Sequence, residues 1–414
     1  MAQALREKGG VSGLEQGSKE VEKFVSRYEL VGLPERIKWA TASFPHHRSQ
    51  FISNFCEGLS LTVQSALALA QVDGYTMPSF EDRYRAITRH EGSIQLVDVH
   101  EVRENLRSLL QQVGYNEDRL LNSVQKWEDD KGLLDLREIP RDVANILAKL
   151  IPLTKERLMV PLNIKFPEGS PWRRLEDVPF DGFDFKITSM PTRPEITGSQ
   201  AYFGGFRKRR PTLRGLFEYN DAYPMTFLSL ISLCLHEVMP GHYFHNVVTD
   251  VMPDLGFEAS IPTMCSPQVT LWEGVAQNTL NLLFDTRDEA YTEMARLFNI
   301  SEVDVQIQCV IDELLDAGKH NGPILYQRER MGEGGVRDHA IEMYALTGPL
   351  PTKIMGWAKH PLIGPMYGVG YDYGNKTVAR MIREHGRLEA AKVAFNTRGV
   401  VDIETFQELL SSSG

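Results

Sequence analysis

The chain has 414 residues, 42% of them hydrophobic, with 45 Lys and Arg against 55 Asp and Glu and a formal net charge of −10. That length provides for one large domain or two with a sizeable core, and the acidic balance excludes nucleic acid or an anionic membrane as the main partner. Four cysteines without a C-x-x-C pair, no bilayer-length apolar run and no signal-like apolar stretch in the first 22 residues predict a cytoplasmic protein without a disulfide framework.

Residues 1–18, rich in Gly, Ser and Gln, predict a loose terminal segment. A helical region follows over 19–159, with apolar periodicity near 47–72, 97–113 and 141–158. The texture changes at 160–222, which opens a second region running to 414. Apolar and polar residues alternate there in Phe183-Asp184-Phe185-Lys186-Ile187-Thr188, and aromatic residues recur in Ala201-Tyr202-Phe203-Gly204-Gly205-Phe206. This predicts a small antiparallel sheet or hairpin pair, with Gly204 and Gly205 permitting close backbone approach. Arg207-Lys208-Arg209-Arg210, with Arg214, reads either as a solvated turn or as a grip on a substrate carboxylate, which guanidinium binds in a bidentate fork.

The next element, near 225–239, carries the chemistry. An uncharged run, Phe227 to Leu235, ends in His236-Glu237-Val238-Met239-Pro240-Gly241-His242. Two imidazoles can hold a cation and one carboxylate can take a proton from water. A buried His-Glu pair needs a partner, and a metal serves both residues. His90-Glu91, His100-Glu101 and His339 sit instead among charged neighbours, as solvated faces do. The spacing is unusual. At about 100° per residue a straight helix turns His242 away from His236, and Pro240 interrupts helical hydrogen bonding. A bend or π-type bulge at Val238–Gly241 must bring His242 back.

Glu273 opens a second apolar helix, near 271–299, and is the expected third ligand. His245, one turn beyond His242, is an alternative ligand or an outer partner. Two histidines and one glutamate leave a tetrahedral position open for water. Zn²⁺ is the expected cofactor and Glu237 the expected general base. The same donor set suits Fe²⁺ or another divalent metal, so a lyase, isomerase or redox enzyme remains an alternative to a hydrolase. Further helices are predicted near 302–318, 337–346, 371–386 and 402–412.

H-E-x-x-P-G-H followed by Glu273-Gly274-Val275-Ala276 resembles the uncharacterised-domain family numbered 885, a group of predicted gluzincin-like zinc metallopeptidases. Pro365 to Gly374 resembles its late P-G-Q-A-x-x-Y-x-x-G segment, and Arg337-Asp338-His339-Ala340 its R-E-Q-A helix. Asp181-Gly182-Phe183, and Arg210-Pro211 before Asn220, resemble its approach to the metal helix. The resemblance implies a mainly α metallohydrolase with a small antiparallel β element beside the metal helix, acting on a small peptide or peptide-like substrate. Tyr371 falls at the family's tyrosine position, and a phenol there would steady the oxyanion. Arg210, Asn220, Tyr243 and Arg337 become candidates for substrate binding. Tyr243, His245 and Val275 depart from the family pattern, which implies a narrow substrate.

Overall fold

Apolar periodicity becomes helix along most of the chain, and the protein is mainly α with a small β element. The computed structural model describes residues 46–90, 92–166, 168, 171–180, 185–189, 198–202, 206–207, 210–211, 213–251, 265–362, 364–395 and 401–412. The loose segment expected at 1–18 and residues Asp181–Phe183, Gly204, Gly205, Lys208 and Arg209 lie outside these.

Five helices come first: α1 (His46–Leu69), α2 (Phe80–Thr88), α3 (His100–Gln112), α4 (Leu120–Lys131) and α5 (Ile139–Thr154). The last continues through a π turn at Lys155–Met159. The strands are β1 (Phe185–Ser189), β2 (Gly198–Tyr202), β3 (Phe206–Arg207), β4 (Arg210–Pro211) and β5 (Gly215–Tyr219). β3 and β4 form a short antiparallel ladder. The larger sheet has the order β1-β5-β2. β2 is antiparallel to β5, as the alternation predicts, but β1 runs parallel to it. The reason is topological: β1 and β2 run in opposite directions, so β5, inserted between them, is antiparallel to one and parallel to the other. Alternation reveals a strand's two faces, not its partners.

The remaining helices are α6 (Phe227–Glu237), α7 (His242–Val251), α8 (Pro267–Gln277), α9 (Thr279–Leu283), α10 (Arg287–Phe298), α11 (Glu302–Pro323), α12 (Glu333–Tyr344), α13 (Leu350–Lys359), α14 (Val369–His385), α15 (Arg387–Ala394) and α16 (Ile403–Ser411). A π turn at Gly364–Gly368 leads into α14. The largest core cluster runs from Val99 to Leu410 and draws on both sides of residue 159. α8 is buried at every position from Pro267 to Ala276, which marks it as the central helix. It packs most extensively on α14 and also touches α2, α6, α7 and α16. No described helix is long and apolar enough to cross a membrane.

Candidate metal centre

Thr226 caps α6 by accepting a hydrogen bond from the Ser229 amide at 3.2 Å. The helix then runs apolar to His236 and stops at Glu237. The Cys234 carbonyl accepts from Val238 N at 3.0 Å and from Met239 N at 3.1 Å. The second is a π-type bond. The expected bulge is therefore one turn at a helix end, not a kink within a continuing helix. The chain starts again as α7 at His242, with Phe244 N bonded to Val238 O at 3.1 Å. Gly241 makes the reversal possible. A Cβ there would sit 1.7 Å from the His236 carbonyl oxygen, so backbone meets backbone. Gly241→Ala should cost on the order of 3 kcal/mol or more and weaken metal binding with it. Thermal unfolding and a Zn²⁺ titration of the variant check this; a wild-type melting point would refute it.

The reversal brings the two imidazoles to 4.7 Å between ring centroids, at 88° to each other. Glu273 arrives from α8. Its Oε2 lies 3.3 Å from His236 Nε2, and its Oε1 lies 3.3 Å from His242 Nε2. Close packing of α8 on α14 sets this position. A Cβ on Gly274 would meet the Gly374 carbonyl at 2.4 Å, and one on Gly374 would meet the Thr270 carbonyl at 2.2 Å. The dense glycines of the late segment thus serve tight packing. Burial works against the Glu273 charge, yet the two histidines outweigh it and hold the carboxyl well below its ordinary range. Burial likewise disfavours the His242 cation, and the Glu273 carboxylate reverses that, raising its pKa.

This donor set fits a divalent metal. Two atoms bound to one tetrahedral ion at about 2.0–2.1 Å lie about 3.3 Å apart, and Glu273 Oε2 stands at that separation from His236 Nε2. Glu273 Oε2 is buried without a hydrogen-bond partner, a costly condition that a cation would relieve. Glu237 is 8% exposed, and one of its carboxylate oxygens groups with a nitrogen of each histidine within 4.8 Å. Two carboxylates thus flank the imidazole pair. Glu273 has an oxygen 3.3 Å from each imidazole, while Glu237 joins the two histidines in a looser group.

Behind α6 lies a buried charged layer that sequence reasoning missed. Lys319 pairs with Asp316 at 3.0 Å, and its ammonium sits 3.6 Å from the centre of the Tyr371 ring. Asp312 accepts from Ser232 Oγ at 2.5 Å and from Gln308 at 3.0 Å, and burial pushes its pKa up to about 6. Burial, with Lys319 nearby, pushes Lys353 down to about 7. The signal was present in the sequence: Asp312, Asp316 and Lys319 recur along one face of a largely apolar helix.

Tyr371 reaches the centre and stacks on His236, 6.2 Å between centroids and 11° from parallel. Tyr367 makes the more direct contact: its hydroxyl donates to Glu273 Oε1. His245 stands apart from the ligand group. It packs edge-on to Trp272 at 5.4 Å and Phe395 at 5.3 Å, and neither ring nitrogen has a hydrogen-bond partner. Burial, then the adjacent His242, lowers its pKa to about 3, so it stays neutral.

The structure does not bring the substrate-binding candidates together at the centre. Tyr243 is fully buried and donates to the Leu213 carbonyl at 2.5 Å, so it is a core residue rather than a pocket wall. Asn220 is also fully buried and caps the turn before α6 by accepting from Ala222 N at 3.0 Å. Arg337 is exposed on α12. Arg207 and Arg210 are register partners in the β3–β4 ladder, and Arg214 is exposed just beyond it.

No family model and no curated protein matches this chain. It is similar in fold to a solved structure described as a putative lipoprotein from Colwellia psychrerythraea, with a TM-score of 0.60 and 13% identity over 99% of this chain and 68% of that one. A second similar structure, a putative lipoprotein of unknown function from Shewanella oneidensis, has a TM-score of 0.53 and 11% identity over 91% of this chain and 69% of that one. At these identities the likeness concerns the fold alone.

Proposed function

We propose that this chain is a zinc-dependent hydrolase that cleaves an amide bond in a small peptide or peptide-like metabolite. The observation that carries the reading is Glu273, with one oxygen 3.3 Å from each imidazole and Oε2 otherwise unpartnered. The resemblance of the two motifs to gluzincin-like peptidases supports it. His236, His242 and Glu273 hold the metal. Bound there, Zn²⁺ supplies Lewis acidity that acidifies water and polarises a carbonyl. Glu237 takes a proton from the attacking water and passes it to the leaving amine. Tyr371 donates a hydrogen bond to the developing oxyanion. The fitting test is incubation of metal-loaded protein with a short-peptide library. Products formed by addition of water support hydrolysis; products of elimination, isomerisation or oxidation favour the alternative chemistry that the same donors allow with Fe²⁺.

Strand β2, at an edge of the described sheet and packed on α6 and α7, suits pairing with an extended substrate. The arginines beyond it would choose the chain end. Arg207 and Arg210 are register partners in the β3–β4 ladder, and a guanidinium binds a carboxylate in a bidentate fork. Amidation of the substrate's carboxylate should therefore raise KM strongly, as should alanine at Arg207, Arg209, Arg210 or Arg214. Equal rates on capped and free substrates would return the cluster to a solvated turn. A cytoplasmic setting, supported by four free cysteines, belongs to the same reading. The description of both structural neighbours as lipoproteins makes cell fractionation its test.

A further inference from the structure

We propose that Tyr367 is a positioning residue that turns Glu273 into a one-oxygen metal ligand, an inference that rests on the metal reading above. A carboxylate can offer a cation one oxygen or both. Here the two oxygens differ. Oε1 accepts the Tyr367 hydroxyl, whereas Oε2 is buried, unpartnered and 3.3 Å from His236 Nε2. The phenol occupies one oxygen and leaves the other to ligate.

The surroundings hold this phenol in place. Trp357 stacks flat on the Tyr367 ring, 5.2 Å between centroids and 2° from parallel. Tyr371 packs edge-on at 5.6 Å. Tyr367 has one hydroxyl proton, and it goes to Glu273. The backbone is clamped as well. In the π turn that carries Tyr367, a Cβ on Gly364 would lie 2.5 Å from the Trp357 carbonyl, and one on Gly368 would lie 2.9 Å from the Lys319 carbonyl. Outer partners of this kind orient a ligand and raise its affinity for metal.

Tyr367→Phe removes the hydroxyl and keeps the ring stack. Zn²⁺ affinity, measured by competition with a chromophoric chelator, should fall about 10- to 100-fold, while the melting point of the metal-free protein stays near that of wild type. The visible spectrum of the Co²⁺-loaded protein should change, because it reports the geometry around the ion. Tyr367→Gln, which restores an N–H donor, should recover part of the affinity. It also decides the question if the Phe variant fails to fold. Unchanged Zn²⁺ affinity and Co²⁺ spectrum in Tyr367→Phe would overturn the proposal and leave Tyr367 a packing residue. A phenolate-to-metal charge-transfer band in the Cu²⁺-loaded wild type, absent from Tyr367→Phe, would also overturn it by making Tyr367 a ligand itself. If wild type binds no Zn²⁺, both this inference and the metal reading fall; if it binds and the Phe variant binds equally, only the inference does.

Discussion

Glu237→Gln should keep the fold and the bound metal, yet lose on the order of 10²-fold or more in turnover. The amide matches the carboxylate in shape and volume but cannot accept a proton. Glu237 is buried at the end of α6, beside the histidines yet outside their 3.3 Å contacts with Glu273, so its loss should be felt in proton transfer and not in metal retention. Rates are to be compared on whichever short peptide the wild type hydrolyses, at saturating Zn²⁺. Near-normal turnover would remove Glu237 from the mechanism and favour the redox or lyase alternative.

His236→Ala, His242→Ala and Glu273→Ala should each lose metal, and His245→Ala should keep it. A structural or catalytic metal draws its binding free energy from its ligands, so removing one should exceed the roughly 10- to 100-fold that outer partners cost. Each variant also leaves the remaining groups unbalanced. Without Glu273, the buried imidazoles lose their carboxylate; without His242, Glu273 Oε1 loses the strongest influence that holds its charge. His245 contributes to neither, since it packs between Trp272 and Phe395. Dialysis against chelator, repletion with Zn²⁺ and metal analysis of the four variants decide the assignment. Loss in His245→Ala with retention in His242→Ala would reverse it.

The parts of the site legible in the sequence were those where chemistry and local pattern coincide. An uncharged helix ending in His-Glu, a Pro-Gly break and a second apolar helix with a single carboxylate point to one centre, and the structure brings His236, His242 and Glu273 together. The helices near 97–113, 141–158 and 302–318 were visible because their apolar stripes are long. α2, α4, α13 and α15 were not: each is short, and α2 and α4 carry so many charges that periodicity is diluted. The long pattern near 271–299 resolved into α8, α9 and α10, because Asn278 and the Phe284–Thr286 stretch interrupt it without a proline or glycine to announce the breaks. The parallel pairing of β1 with β5 depends on a strand inserted from beyond the arginine cluster. Tyr367 does not stand out in the sequence, since its role arises where the π turn before α14 meets α8. Tyr243 and Asn220 are both fully buried, which a polar residue's place near a motif does not reveal.

The metal content of protein purified without chelators tests the central claim most directly, read by mass spectrometry beside Glu273→Ala prepared in parallel. The account predicts ~1 equivalent of zinc per wild-type chain, as three protein ligands around one open position require, and little or none in the variant. A wild-type protein that holds no divalent metal even after repletion, or a Glu273→Ala variant that holds as much as wild type, would contradict it.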